Sequence, residues 1–261
     1  MNQSRFPFNC AREPGSYLLV DTEGFLVPAA KVCEYDIEWE PDDWQTICRH
    51  GDALALFQDS IAGLMAQAPG LALALVLGDR TTFRAGIYPA YKANRKKERK
   101  VPGWPALVAR VEELALSCGW AVWRLANVEA DDACGILADP NDIIASVDKD
   151  LLTIPGQHCR GGELLVQSKL SADLAFYSQA LIGDRSDNYP GCPGVGEKGA
   201  EKVLAGCRTE PEMWSAVVQS YQKAGKTERE ALAQARCARI LRPGEYDMAN
   251  ARPLLWRPPV T

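Results

Sequence analysis

The stretch that decides the fold is ALALVLGD, residues 72–79, because it joins an uninterrupted apolar run to a terminal carboxylate. Short continuous apolar runs are typical of strands that are buried on both faces of a parallel sheet. Three further runs have this form: 17–21 (YLLVD), 120–126 (WAVWRLA) and 143–148 (IIASVD). The segments between them favour helices, at 42–67, 105–118 and 131–138. This alternation predicts an α/β fold, a parallel sheet with helices on both faces and functional residues at the carboxyl ends of the strands.

The pattern changes after residue 155. Residues 157–168 read as a hairpin around two consecutive glycines, and from residue 173 the chain favours helices separated by a turn-rich stretch. We therefore expect two domains, 1–172 and 173–261.

Composition narrows the class of protein. The chain has 261 residues, of which 47% are hydrophobic, and a net charge of −5. Its longest apolar run is too short to span a bilayer, and its first 14 residues lack the apolar core of a signal peptide. The nine cysteines are scattered and contain no CxxC pair, which argues against a disulfide framework and a zinc site. We expect a cytoplasmic protein with no membrane association, and we interpret the acidic run 34–43 as a solvated surface.

Carboxylates follow all four predicted strands, and two more occur later in the chain. The candidate metal ligands are Asp21, Asp79, Glu129, Asp131, Asp132, Asp148, Asp150, Asp184 and Asp187. The first seven should meet at one edge of the sheet, where like charges are costly unless cations neutralise them. Oxygen ligands favour Mg²⁺ or Mn²⁺, and two such ions can promote hydrolysis of a phosphodiester. The remaining pair, Asp184 and Asp187, have the spacing of one helical turn.

A basic stretch follows the second predicted strand. Residues 92–100 contain six positive residues and one negative residue, and aromatic residues precede them. Clustered cations beside aromatic rings are typical of nucleic-acid binding. The candidate DNA contacts of this stretch are Arg84, Tyr91, Lys92, Arg95 and Lys96.

A glycine-rich segment, 183–204, is the third functional element. Three of its glycines match GxGxxG, but a turn precedes them instead of a strand, which argues against a dinucleotide-binding oxidoreductase. A glycine hairpin that leads into a helix can instead hold a phosphate. Its candidate DNA contacts are Gly194, Gly196, Lys198 and Lys202.

Together these elements resemble the flap endonuclease/5′→3′ exonuclease superfamily. The resemblance rests on YPAYKANR (88–95), EADD (129–132), SVDKDLL (146–152) and GDRSDNYPGCPGVGEK (183–198). The acidic segment EYDIEWEPDDW (34–44) and the C-terminal segment further resemble the 5′→3′ exonucleases of short-tailed coliphages. The resemblance implies a PIN-like sheet, a short helical arch near 84–105 and a helix–three-turn–helix region.

The resemblance also implies roles for individual residues. A first metal site would contain Asp21, Asp79, Glu129, Asp131, Asp132 and Asp148; a second would contain Asp150, Asp184 and Asp187, with Asp148 close to both. Lys92 and Arg95 would hold the scissile phosphate at the base of the arch, and Tyr91 would stack on a base. The turn 191–196 would bind K⁺ and the duplex backbone.

We therefore expect a Mg²⁺-dependent 5′→3′ exonuclease that acts on double-stranded DNA and releases 5′-phosphorylated products, with Lys92, Arg95 and Asp148 central to catalysis. The resemblance extends this activity to RNA–DNA hybrids, and the role to phage replication and host DNA breakdown in the bacterial cytoplasm, beside replication proteins. Two alternatives remain open: a structure-specific 5′-flap endonuclease, and a non-catalytic protein that binds DNA ends.

Overall fold

The structure, a computed structural model, describes residues 12–97 and 100–259, and at residues 96 and 97 the backbone alone. Its ten strands within these residues are β1 (Tyr17–Asp21), β2 (Glu34–Glu40), β3 (Asp43–Cys48), β4 (Ala72–Leu77), β5 (Ala121–Arg124), β6 (Ile143–Ala145), β7 (Gly156–Arg160), β8 (Glu163–Gln167), β9 (Tyr246–Asp247) and β10 (Arg252–Pro253).

The helices lie between and after these strands. The α-helices are α1 (Thr22–Val32), α2 (His50–Gln67), α3 (Arg84–Ile87), α4 (Trp104–Cys118), α5 (Ala130–Leu137), α6 (Lys169–Ile182), α7 (Glu197–Leu204), α8 (Glu210–Lys223) and α9 (Glu228–Ala238). Two 3₁₀ helices occupy Ala93–Lys97 and Lys149–Thr153. None of the described helices is long and apolar enough to cross a membrane.

The main sheet has six strands in the order β5-β4-β1-β6-β7-β8. All neighbours are parallel except β7 and β8, which form the hairpin predicted at 157–168. The four apolar runs of the sequence are the four strands β1, β4, β5 and β6, so the predicted α/β fold is confirmed.

Helices cover both faces of this sheet. Leu18 and Val20 of β1 point to one face, where they join a buried cluster with Phe57 of α2 and Leu107 of α4. Leu19, between them, points to the other face, which packs against α5 and the segment after α9. This alternation explains why the strands are apolar throughout, because each buries side chains on both faces.

Helices α6 to α9 form a third buried cluster around Tyr177, Tyr221 and Trp256. Tyr91, which directly precedes the basic stretch, packs into the same cluster, so the helical region contacts the chain where that stretch begins. The predicted domain boundary near residue 172 falls within α6; the two-domain division stays a proposal.

The predicted helix 42–67 is partly wrong. Six of its first seven residues form β3, which pairs with β2 in an antiparallel hairpin, and the helix α2 begins only at His50. The acidic run 34–43 lies on this hairpin and is mostly exposed, in line with the solvated surface expected there. Asp42 adopts a positive φ of 67°, which is tolerated at a tight turn by aspartate and closes the hairpin.

Candidate active site

The carboxyl ends of three neighbouring parallel strands carry the first acidic residues of the site. Asp21 ends β1 and caps α1, Asp79 follows β4, and Asp148 follows β6 and caps a 3₁₀ helix. Glu129 caps α5, the helix that follows β5. Asp21, Glu129 and Asp148 each cap the helix that begins there, and because carboxylates are favourable helix caps these side chains are held at the edge where the strands end.

These residues line a single cleft with a volume of about 360 Å³. Its acidic lining comprises Asp21, Glu23, Asp79, Glu129, Asp131, Asp148, Asp150, Asp184 and Asp187. Eight of the nine predicted carboxylates are therefore brought together. A larger cavity of about 530 Å³ lies between α6 and α8, but its two carboxylates, Asp173 and Glu210, are ion-paired with Lys169.

Two cations, Lys92 and Arg95, stand among the cleft carboxylates. The Nζ of Lys92 donates to Glu129 and lies 3.6 Å from Asp187, while Arg95 donates to the other oxygen of Asp187. The Tyr91 hydroxyl lies 2.8 Å from both Glu129 and Asp187. These contacts join the α/β sheet to the helical region across the cleft.

The backbone at Lys92 is held in an unusual conformation, with a positive φ of 52°. A left-handed conformation is costly for a residue with a side chain and persists only where the surroundings fix it. Here the backbone N–H of Lys92 donates to the carbonyl of Asp187 at 2.8 Å. The strain therefore occurs where the basic stretch begins, at the cleft.

Crowding of like charges shapes the titration of the cleft. Burial, followed by the charges of Glu129 and Asp21, holds the pKa of Asp131 well above its usual range. Burial also raises the pKa of Asp21, against a hydrogen bond from Ser146. Such shifts mark carboxylates that lack enough positive charge around them.

Two other cleft carboxylates show how local partners change the pKa. Burial alone would raise the pKa of Glu129, but the charges of Arg84 and Lys92 outweigh it and lower the pKa. Burial, with the charges of Asp148 and Asp184, raises the pKa of Asp150 to about 6.

The pair Asp184 and Asp187 lies on a tight turn and not on the predicted helical turn. Two backbone hydrogen bonds between Asp184 and Tyr189 close it, and the Asp184 side chain accepts from the backbone N–H groups of Ser186 and Asp187. The turn is possible because Gly183 and Gly191 touch backbone to backbone, so that a Cβ on either would collide with the other. The two aspartates still reach the cleft.

Asp132 does not line the cleft, which corrects the prediction that it is a metal ligand. Its carboxylate is fully buried and accepts hydrogen bonds from two guanidinium nitrogens of Arg84, at 2.5 and 2.7 Å. It also accepts the backbone N–H groups of Leu241 and Glu129. With both oxygens engaged, Asp132 stabilises the fold beneath the site.

Arg84 is correspondingly not a DNA contact. It is 2% exposed, and besides Asp132 it donates to Glu129 and to the carbonyls of Cys237 and Arg239. Tyr91 also differs from its prediction, because its ring is buried against Tyr189 and cannot stack on a base. Both residues support the cleft from below. The side chain of Lys96 lies outside the described residues.

The glycine-rich hairpin leads into α7, with Gly196 as its capping residue and Gly194 at a positive φ of 79°. A turn precedes it, and no strand of the described chain leads into it, so the dinucleotide interpretation does not apply. Lys198 and Lys202 are exposed and one helical turn apart on α7, so they lie on one side of the helix.

One acidic residue of the cleft, Glu23, is not among the metal ligands predicted from the sequence. It lies two residues after the strand end at Asp21, in the first turn of α1. Its position there was the available signal, because the first turn of a helix that follows a catalytic strand faces the same edge of the sheet.

Comparison with known proteins places these features in a family. The model described as "5′-3′ exonuclease, N-terminal resolvase-like domain" matches residues 45–172. The exonuclease of Escherichia phage T7 is 30% identical over 92% of this chain and 93% of its own length, and the exodeoxyribonuclease of Enterobacteria phage T3 is 29% identical over 92% of both.

Among solved structures, the fold matches a bacteriophage T5 flap endonuclease in complex with DNA and metal ions, with a TM-score of 0.58 at 14% identity. The match covers 84% of this chain and 87% of that one. From the sequence of its relatives and its fold, the chain belongs to the 5′→3′ exonuclease family and is a nuclease.

Proposed function

We propose that the chain is a Mg²⁺-dependent 5′→3′ exonuclease that hydrolyses double-stranded DNA from its 5′ ends and releases 5′-phosphorylated products by a two-metal mechanism. The observation that carries the proposal is the meeting of eight predicted carboxylates in one cleft beside Lys92 and Arg95. The named activities of the T7 and T3 relatives support it.

The donor set of the cleft fits a hard divalent cation. Its ionisable lining among the described residues consists of nine carboxylates with two cationic side chains and has no histidine or cysteine. Oxygen donors favour Mg²⁺, with Mn²⁺ as a substitute, over zinc. The raised pKa values of Asp21, Asp131 and Asp150 indicate negative charge that a cation would stabilise.

Among the described residues, no three His, Cys, Asp or Glu side chains lie close enough together to hold a metal ion by themselves. An open arrangement suits Mg²⁺, which keeps several of its waters and shares its coordination with substrate phosphates. We assign one ion to Asp21, Asp79, Glu129, Asp131 and Asp148, and a second to Asp150, Asp184 and Asp187. The chemistry that two bound ions would supply is activation of the attacking water and stabilisation of the leaving oxygen.

Lys92 and Arg95 supply the positive charge for the scissile phosphate in this proposal. Each donates to a carboxylate of the cleft, Lys92 to Glu129 and Arg95 to Asp187. The same donors can turn to phosphate oxygens when a substrate enters, and the fixed backbone at Lys92 keeps its side chain at the cleft. Positive charges that are already in place around the scissile phosphate stabilise the negative charge that develops in the transition state.

The exposed residues Lys198 and Lys202, with the Gly194–Gly196 turn, would contact the duplex backbone away from the cut. Backbone N–H groups at such a turn and two cations on one side of a helix suit phosphates without reading sequence. We assign K⁺ to the turn 191–196 on the resemblance alone.

The wider role follows from the phage relatives. We propose that the protein acts in phage DNA replication and host DNA breakdown in the bacterial cytoplasm, beside replication proteins, and that it also cuts RNA in RNA–DNA hybrids. A second candidate function, 5′-flap endonuclease, is favoured by the fold of the T5 flap endonuclease. The non-catalytic alternative is wrong, because the relatives over almost the whole chain are nucleases.

The experiment compares a blunt duplex with a 5′-flap duplex, each labelled at the 5′ end, with and without Mg²⁺. The wild type should release labelled mononucleotides from the blunt duplex only with Mg²⁺, and Asp148→Ala should lose this activity. Asp59→Ala, an exposed aspartate of α2, is the matched control and should cleave normally.

Two results would change the proposal. Absence of Mg²⁺-dependent cleavage of both substrates would refute it. Cleavage of the flap without digestion of the blunt duplex would replace the exonuclease with the flap endonuclease.

A further inference from the structure

We infer that Glu23 is a further carboxylate of the cation-binding cleft, beyond the eight that the sequence patterns identify. The inference rests on the proposed function, since it adds a residue to the same site. Glu23 lies in the first turn of α1 and lines the cleft together with Asp21, the last residue of β1.

The backbone around Glu23 makes room for its carboxylate. Gly78, at the end of β4, has no side chain; a Cβ there would lie 3.4 Å from the Oε1 of Glu23 and 3.1 Å from the backbone nitrogen of Ala130. The distance to Ala130 is tight for a Cβ, and the distance to Glu23 is that of a van der Waals contact. Glycine therefore lets three elements meet at this point: the end of β4, the start of α5 and the Glu23 side chain.

The charge of Glu23 is not matched by the protein around it. Glu23 lines the cleft beside the carboxylates of Asp21, Asp79 and Glu129. Within the described part of the chain, Glu23 forms no ion pair.

Glu23 is exposed to the solvent of the cleft. Glu23 is not the helix cap, because the Asp21 side chain already caps α1. A negative charge that is crowded by like charges and yet accessible to ions is stabilised when a divalent cation binds beside it. The geometry thus favours Glu23 as part of the ion-binding set.

The test measures binding of Mn²⁺ to the full chain in the absence of DNA, by the EPR signal of free Mn²⁺ and by calorimetry. Glu23→Gln keeps the size of the side chain and removes its charge. We expect Mn²⁺ affinity to fall about tenfold, the scale on which groups that support a metal site act. Glu113→Gln, an exposed residue of α4, is the matched control and should bind like the wild type.

Thermal denaturation without metal separates this role from a structural one. Removing one of several crowded negative charges should raise the melting temperature of Glu23→Gln or leave it unchanged. A lower melting temperature with Mn²⁺ affinity within twofold of the wild type would overturn the inference and make Glu23 a support for β4.

The same measurements distinguish the inference from the proposed function. Unchanged Mn²⁺ binding in Glu23→Gln, with normal binding by the wild type, refutes the inference alone. Absence of Mn²⁺ binding by the wild type refutes the proposed function.

Discussion

Replacing Arg84 by methionine should destabilise the whole fold and not simply weaken DNA binding. The guanidinium is 2% exposed and donates to Asp132, Glu129 and the carbonyls of Cys237 and Arg239. Methionine fills a similar space but leaves the fully buried carboxylate of Asp132 without its counter-ion.

The loss of stability in Arg84→Met depends on the buried charge that remains unpaired. Removing one partner of a buried ion pair typically costs about 3–5 kcal/mol, so we expect a loss of that size in the free energy of unfolding. The matched control is Arg49→Met, since Arg49 pairs with Asp52 at 3.6 Å where both side chains are 61% exposed. An exposed pair contributes about 0–1 kcal/mol.

The assay is urea denaturation followed by far-UV circular dichroism, which gives the free energy of unfolding from the midpoint and slope. Adding Asp132→Asn to Arg84→Met should recover part of the loss, because it removes the unpaired charge and keeps an acceptor for the N–H of Leu241. DNA affinity per folded molecule, measured by fluorescence anisotropy, should change little.

The reasoning would be refuted by an Arg84→Met protein that is as stable as the Arg49→Met control. A large loss of DNA affinity at wild-type stability would restore the original prediction that Arg84 contacts DNA.

Three further predictions follow from the site. Lys92→Ala should slow turnover, measured by single-turnover kinetics, far more than it weakens DNA binding. Lys202→Ala should instead weaken DNA binding and make the binding less dependent on salt. Equal losses of turnover and binding in Lys92→Ala would show that Lys92 only contacts the DNA backbone. In the metal-free protein, the raised pKa of Asp150, about 6, means that the folded state holds this proton more tightly than the unfolded state, so stability should fall as pH rises from about 4 to 6. Asp150→Asn should flatten that decline in pH-dependent denaturation, and an unchanged slope would contradict the assignment. Gly191→Ala should unfold at a markedly lower temperature than Gly194→Ala, because only at residue 191 would the new Cβ collide with Gly183. The strain of a positive φ, about 1–2 kcal/mol, is common to both variants. Equal melting temperatures would count against the close contact.

The sheet was predictable because its strands are buried on both faces and so form continuous apolar runs. The β2–β3 hairpin was missed because its charges suggested the start of a helix. The better signal was the alternation of Tyr35, Ile37 and Trp39 with acidic residues, which has the period of a strand. On an exposed hairpin this alternation, and not a continuous apolar run, is the pattern that indicates a strand.

The site was predictable to the extent that strand ends decide position. Asp131 and Asp132 show the limit, because neighbouring residues of a helix point about 100° apart and only one of them can face the cleft. Sequence gives no indication of which one faces inward until the pairing of Asp132 with Arg84 is known. The prediction that Arg84 contacts DNA was wrong because a positive charge near a basic stretch does not indicate whether the side chain is buried.

The distribution of charge explains how a chain with a net charge of −5 can bind a polyanion. Nine carboxylates and two cations lie in the cleft, and six carboxylates lie on the acidic run 34–43, which leaves 19 acidic residues against 27 lysines and arginines in the rest of the chain. Because the hairpin follows α1, whose 11 residues span about 16 Å from the cleft, the two acidic regions are separate. Under the proposed function, divalent ions neutralise the first region, and the exposed Lys198 and Lys202 contact the phosphates. The salt dependence of binding should therefore depend on these two lysines and not on the net charge.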